Sequence, residues 1–272
     1  MSGTLYVVGT PIGNLGDMSP RAVTALETAD FIAAEDTRVT VKLLNHFGIK
    51  KEMLSYYEHN KSTKGNLIIK RLLEGESCAV VSDAGMPAIS DPGEDLVRQA
   101  RELGIPVEAV PGPSALVTAI SVSGFPCGRF CFEGFLTMNK IGRREHLESL
   151  KHEKRTMIFY EAPHKLPATL EDFYKFFGER RIVLVRELTK IHETVQTTTL
   201  SEAISYYNEN APKGEFVLIV EGFCESETVY TKEDAVKIAQ KLVSEGQSTS
   251  SAAKEAAEIT GIKKGEIYKA LI

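Results

Sequence analysis

Between residues 4 and 115, short apolar runs alternate with segments whose apolar residues recur at helical spacing. Residues 4–9 (TLYVVG), the start of 30–38 (DFIAAEDTR), 78–81 (CAVV) and 105–110 (IPVEAV) read as short buried strands. A helix is predicted from the Ser19-Pro20 cap to Ala29, and others over Val39–Phe47 and Lys64–Leu73. Asp91 as N-cap and Pro92 at the first helical position open a fourth, EDLVRQARELG, with Glu94 and Asp95 at its positive end. Ser114 suits the N-cap of a fifth, Ser114–Ser123. Strand and helix in alternation define an α/β fold with a parallel, doubly wound sheet.

The texture changes at Ser123-Gly124-Phe125-Pro126, a predicted domain boundary. RFCFEGFL, TMIFYE, RRIVLVRE, the threonine-rich run to Leu200 and EFVLIVEG read as strands. They crowd too closely for a helix at every crossover, so a mixed, largely antiparallel sheet is expected. Residues 225–230 read as a polar linker. Thr231 and Asp234 have capping-box spacing, opening a helix that ends near Gly246. After it comes helix, turn at Thr260-Gly261, helix: the spacing of a helix-turn-helix, or of a simple helical hairpin. The predicted division is therefore 1–118, 119–224 and a tail at 231–272.

Three loops stand out. The one from Ser82 to Asp91 is longer than the about 2–6 residues an ordinary strand-to-helix turn needs. It carries Asp83, Gly85, Pro87 and Ser90. TPIGNLGDM follows the first strand and PGPSA the strand at 105–110. All three should converge on one edge of the sheet, where α/β proteins hold ligands. At PGPSA, Gly112 would let a ligand approach the backbone, and Ser114 and exposed amides would supply donors. Neither GxxxxGK[ST] nor GxGxxG is present, which argues against a grip on phosphates. Titratable residues gather at strand ends: Glu35, Asp36 and Arg38; Glu161 and His164; Glu187, Lys190, His192 and Glu193.

Composition changes this picture little. Hydrophobic residues make up 43% and charged residues 25% of the chain, ordinary for a globular protein. No apolar run approaches the ~20 residues of a membrane span and no signal segment opens the chain, which argues for the cytoplasm and against a membrane partner. Cys78, Cys127, Cys131 and Cys224 are scattered, so reduced thiols are expected and no metal site. A net charge of −5 leaves nucleic-acid contact to local patches. The candidates are residues 140–155, with Arg143 and Arg144, and the tail, with Lys263, Lys264 and Lys269.

GTPIGNL (9–15), AEDTR (34–38), SDAGMPAISDPG (82–93), PGPSA (111–115), FYEAPHK (159–165) and ELTKIHE (187–193) together resemble the tetrapyrrole-methylase-type superfamily of S-adenosylmethionine-dependent methyltransferases. AEDTR, FYEAPHK and ELTKIHE are more characteristic of its branch acting on bacterial small-subunit ribosomal RNA than of the tetrapyrrole branch. The resemblance spans residues 4–222 and implies two α/β domains with the cofactor cleft between them, plus a small helix-turn-helix-like C-terminal domain. It implies S-adenosyl-L-methionine as cofactor, 16S ribosomal RNA in the small ribosomal subunit as substrate, methylated on a cytidine ribose 2′-hydroxyl, and a homodimer. By the same resemblance Pro11, Ile12, Asp83, Ala84, Gly85, Met86, Ile89, Ser114 and Ala115 line the cofactor, with Ala162, Leu188 and Phe216 opposite. A hydroxyl acceptor needs a base or a cation that lowers its pKa. Lys190 with Glu161 or Asp36 is the expected catalytic set. Carbon methylation of a tetrapyrrole, or a cofactor-binding RNA chaperone without chemistry, are the alternatives.

Overall fold

Residues 2–224 and 231–272 are described by the structure, a computed structural model. The chain forms two compact units, one ending at Phe223 and the other beginning at Cys224. The polar linker expected at 225–230 lies outside the described residues.

The first unit opens with β1 (Leu5–Val8), α1 (Pro20–Thr28), β2 (Phe31–Ala34), α2 (Thr37–His46), β3 (Glu52–Ser55), α3 (Lys61–Leu73), β4 (Cys78–Val81), α4 (Glu94–Glu102), β5 (Val107–Val110) and α5 (Ala115–Val122). The five strands form a wholly parallel sheet in the order β3-β2-β4-β1-β5. β2 and β4 are buried at every residue, which is why they are written FIAA and CAVV without alternation. Helices cover both faces, one core forming around Leu5, Phe31, Ile68, Leu72 and Leu96 and the other around Val8, Leu26, Ile32 and Leu44.

Two helix starts are corrected, and one strand, β3, is added to the expected elements. β3 has no apolar run to announce it, being a sheet edge with no fully buried residue. α3 starts at Lys61, a turn before Lys64. α4 starts at Glu94 behind Gly93, whose φ of 141° needs glycine, so Asp91 and Pro92 belong to the loop. Ser19 does cap α1 as expected, its side chain accepting from the Ala22 amide at 3.1 Å.

The chain continues through β6 (Phe130–Phe135), α6 (Lys140–Ser149), β7 (Thr156–Glu161), α7 (Leu166–Phe177), β8 (Arg181–Arg186), β9 (Thr194–Thr199), α8 (Leu200–Glu209) and β10 (Phe216–Val220). These strands make a mixed sheet, β6-β7-β10-β8-β9, antiparallel except between β6 and β7. On one face Phe159 and Leu218 pack with Phe173 of α7 and Leu200 and Ala203 of α8. On the other, Ile158, Val183, Val185 and Ile219 receive Ala119 and Ile120 of α5. α5 thus follows the first sheet in sequence and packs on the second. Both sheets belong to one unit.

The second unit holds α9 (Lys232–Ser244), α10 (Thr249–Thr260) and α11 (Lys264–Leu271). The Thr231 hydroxyl accepts from the Asp234 amide at 3.2 Å while the Asp234 carboxylate accepts from the Thr231 amide at 3.1 Å, a complete capping box. Gly261, at φ 71°, ends α10. Ala235, Ala239, Ala252, Ala253 and Ala256 pack with Ile267, small side chains that let the helices approach closely. Among the described residues, no helix is long and apolar enough to cross a membrane.

β4, β1 and β5 are neighbours, so the three loops singled out in the sequence emerge side by side. Gly9 and Gly112 touch backbone to backbone: a Cβ on Gly112 would lie 2.7 Å from the carbonyl carbon and oxygen of Gly9. Gly112→Ala should therefore cost about 1–3 kcal/mol, read as a lower urea midpoint with an unchanged slope.

Candidate active site

Thr10 and Gly85 exchange both backbone hydrogen bonds, 2.9 and 3.1 Å, tying the β1 loop to the β4 loop. Tyr160 at the end of β7 accepts from the Leu116 amide at 3.0 Å, tying the second sheet to the start of α5. Between these ties lies a cleft of about 520 Å³, a size typical of small-molecule sites. Its walls include Ile12, Asp83, Ala84, Gly85, Met86, Ile89, Ser114 and Ala115 from the first sheet's loops. Facing them are Ala162, Leu188 and Phe216 with Val185 and Val217. Of the residues the resemblance pointed to, Pro11 alone is elsewhere, in a second cleft described below. Ser114 precedes α5 without a side-chain cap bond, leaving its hydroxyl to the cleft.

The floor is apolar and buried; the rim is acidic. Glu35, Asp83 and Asp91 line it. The Glu35 carboxylate accepts from the Asp83 amide at 3.3 Å and the Asp83 carboxylate from the Asp36 amide at 3.1 Å, so the ends of β2 and β4 are laced together. Burial, with neighbouring carboxylates adding to it, raises both Glu35 and Asp83 above the usual carboxylate range. Asp91 rises to about 6, chiefly by burial and then by the Glu35 charge, with the Ser82 hydroxyl pulling the other way. Its release from the helix cap is what turns it into the cleft. Sequence reasoning placed Glu35 at a strand end facing the cleft, and missed Asp91, Tyr160 and Phe135. Phe135 owes its place to a register shift at Phe132/Gly134, where Gly134 has φ 63°. The shift puts Phe132 and Phe135 on one face, 4.9 and 5.5 Å from the Tyr160 ring.

A second cleft, about 420 Å³, shares Ile12, Asp83, Ala84 and Glu215 with the first. Its remaining walls are Thr10, Pro11, Gly13 and Leu15 of the β1 loop, Val39, Thr40, Lys42 and Leu43 of α2, Ser82, and Lys190. The Lys190 ammonium donates to Glu187 at 2.9 Å and to Glu215 at 2.8 Å. Burial works against its charge, but the two glutamates outweigh it and hold the lysine above its ordinary value. The pairing therefore favours the charged ammonium. Gly13 has no room for a side chain, because a Cβ would meet Lys190 Cγ at 2.6 Å. Glu193 pins the same loop, accepting from the Thr189 amide at 2.6 Å.

The other expected catalytic groups do not join Lys190. Asp36 lines neither cleft. It caps α2 and pairs with Arg38 at 2.6 Å, which holds its carboxyl near 2. Glu161 lines only the first cleft and is 4% exposed. Its two oxygens accept from the Ala162 amide at 2.9 Å and the Thr169 hydroxyl at 2.5 Å. Arg143, expected on an RNA-facing surface, turns inward to Asp172 at 2.7 Å and Thr169 at 2.9 Å. Arg144, Lys263 and Lys264 are exposed. His164 and His192 are exposed and line neither cleft.

Two α/β sheets joined over a glycine-pinned cleft define a known class. The chain belongs to the family Tetrapyrrole (Corrin/Porphyrin) Methylases, whose sequence model matches residues 4–204. It is 52% identical to a protein of Xylella fastidiosa (strain Temecula1) named ribosomal RNA small subunit methyltransferase I, over 98% of each chain. A protein of the same name from Escherichia coli O157:H7 is 47% identical, over 98% of this chain and 94% of that one. Among solved structures, uroporphyrin-III-C-methyltransferase from Thermus thermophilus superposes with a TM-score of 0.57 at 21% identity, over 80% of this chain and 94% of that one. Diphthine synthase gives 0.63 at 14% identity, over 81% and 90%. The structural likenesses establish the fold.

Two predictions follow from the carboxylates. Asp91 ionises near 3.8 when free of its surroundings but near 6 in the folded chain. The folded state therefore holds more protons between those values, and stability falls as pH rises through them. Asp91→Asn should be more stable than the wild type at pH 8 by about 1–2 kcal/mol, after discounting for solvent screening, with the gap closing below about pH 4. Urea titrations at both pH values measure it. Thr169→Val leaves Glu161 and Arg143 short of a buried partner and should cost about 1–3 kcal/mol, while Thr169→Ser should restore the wild-type midpoint.

Proposed function

We propose that the chain is an S-adenosylmethionine-dependent methyltransferase acting on a ribose 2′-hydroxyl of small-subunit (16S) ribosomal RNA, with cytidine as the expected acceptor and the cytoplasm as its compartment. The observation that carries the reading is the pair of clefts meeting at Ile12, Asp83, Ala84 and Glu215, one suited to the cofactor and the other holding Lys190. The names of the relatives favour RNA over a tetrapyrrole as acceptor.

The first cleft fits the cofactor. Val185, Leu188, Phe216 and Val217 offer an apolar bed for an adenine, and the close backbones of the Gly85 and Ser114 loops offer polar contacts. Glu35, Asp83 and Asp91 supply negative charge suited to an ammonium and a sulfonium. Bound there, S-adenosylmethionine supplies a methyl group on cationic sulfur, whose charge is lost on transfer to oxygen. The chain's own task is alignment, worth up to about 7–11 kcal/mol, and control of one proton. The Lys190 ammonium holds the acceptor oxygen and favours its deprotonated form. Glu215, which touches Lys190 and lines both clefts, is placed to receive the proton. Glu161 shapes the cofactor wall. Exposed Arg144, Lys263 and Lys264 are proposed contacts for the RNA backbone. Val117 and Val122, 54% and 49% exposed on α5, offer apolar surface for the homodimer included in this reading.

The test offers labelled S-adenosylmethionine with small subunits lacking native ribose methylation, naked ribosomal RNA, and a tetrapyrrole precursor. Label on a ribose 2′-oxygen is expected; label in the macrocycle would move the assignment to carbon methylation. Lys190→Ala should lower turnover by about 100-fold or more with cofactor affinity unchanged. Near-normal turnover with bound cofactor would remove Lys190 from the mechanism.

A further inference from the structure

The second cleft adjoins the one assigned to the cofactor and contains the lysine assigned to the acceptor. We infer that this cleft receives a single nucleotide of the acceptor RNA, drawn out of its stack, with the ribose at the shared wall, the base against Leu15, Val39 and Leu43, and a phosphate at Lys42. The inference rests on the reading under Proposed function, because it takes Lys190 as the group that meets the acceptor hydroxyl.

The geometry leaves little choice of direction. Lys190 lines the second cleft and not the first, so a hydroxyl held by Lys190 lies on the second cleft's side of Ile12, Asp83, Ala84 and Glu215. A methyl donor held in the first cleft would reach that boundary from its other side, and in-line displacement would require the acceptor oxygen to meet the methyl carbon there with no side chain between them. A cleft of about 420 Å³ is within the range of small-molecule sites, far below that of a helical stem. Enzymes that act on one nucleotide meet this constraint by extruding it or by choosing unpaired substrate.

The lining has the chemistry a nucleotide needs. Leu15 and Val39 are 44% and 39% exposed, an apolar face on the β1 loop and the first turn of α2 that no other part of the unit covers. Lys42, one turn further along α2, is exposed and has no ion-pair partner among the described residues. It therefore presents an unneutralised charge beside the apolar face. In a chain of net charge −5, an unpaired cation at the mouth of an otherwise acidic site is where a phosphate is most favourably placed.

Lys42→Ala and Leu15→Ala separate the two contacts, and both side chains are exposed enough for truncation to spare the fold. With unmethylated small subunits and labelled S-adenosylmethionine, Lys42→Ala should raise KM for the subunit about tenfold. It should also reduce the salt slope of log KM by about one, as expected for one lost phosphate contact. Leu15→Ala should raise KM about fivefold or more with the salt slope unchanged. Cofactor Kd, measured by calorimetry without RNA, should stay within about twofold for both. Unchanged KM in both variants, with the wild type active, would overturn this inference alone. A cofactor Kd that weakens in step with KM would reassign the cleft to the cofactor. A wild type that transfers no label to subunit or RNA would overturn the parent reading and this one with it.

Discussion

The constraint on which the cleft depends is the backbone contact between Gly9 and Gly112, reinforced by the paired hydrogen bonds of Thr10 with Gly85. β1 sits between β4 and β5, so its loop must pass between theirs, and side chains at 9 or 112 would force the three apart. Because they do not separate, Ile12, Asp83–Met86 and Ser114–Ala115 form one continuous wall. The second sheet is fastened to that wall at its base. α5 buries Ala119 and Ile120 against β7, β8 and β10, and Ile12 packs on the same cluster. The cleft is therefore a seam within one compact unit rather than a gap between independent bodies.

Charge is arranged along this seam in opposite ways on its two sides. Glu35, Asp83 and Asp91 crowd one end, and burial pushes all three carboxyls upward even though the Arg38 charge draws Asp83 the other way. At the wall's other end Lys190 is held between Glu187 and Glu215, and the pairing keeps it charged. A cationic donor is favoured by the first arrangement and an oxygen nucleophile by the second, so the proposed reaction runs from the acidic side to the lysine. The acidic rim also repels a polyanion. In the proposed reading RNA is drawn in by isolated cations rather than by a basic surface, in keeping with the pairing of Arg143, Lys151 and Arg155 in the 140–155 run.

The sheet cores and the loops were legible because apolar runs and Gly/Pro punctuation are local signals. β2 and β4 announce themselves as FIAA and CAVV; β3, an edge strand with exposed Glu52, has no such pattern. Asp91-Pro92 has every local mark of a helix start, and only the φ of Gly93 moves that start and frees Asp91 for the cleft. Arg143 sits in a basic run that reads as a surface, yet Asp172 and Thr169, on a helix further along the chain, turn it inward. Lys190 was visible in ELTKIHE. Its partner Glu215, at the threshold of β10, was not, because a pairing over that separation leaves no trace in spacing.

Backbone strain follows the same seam. Among the described residues, the non-glycine positions with positive φ are Ala88, Ser90, Glu187 and Thr189. The first two lie in the β4 loop and the last two in the loop after β8, on opposite sides of the cleft. Each such position costs on the order of 1 kcal/mol or more, and neither loop is needed in that shape to complete a sheet. What the conformations achieve is placement. Ala88 and Ser90 bend the first loop so that Ile89 and Asp91 both face the cavity. Glu187 and Thr189 wind the second so that Leu188 points into the first cleft while Lys190 reaches the second. Leu188 and Lys190 are two residues apart, and a relaxed strand end, which turns alternate residues to one face, would not send them to different cavities. Nor would a strand end wrap Lys190 back onto Glu187, and that return contact is what fixes the ammonium at the shared wall.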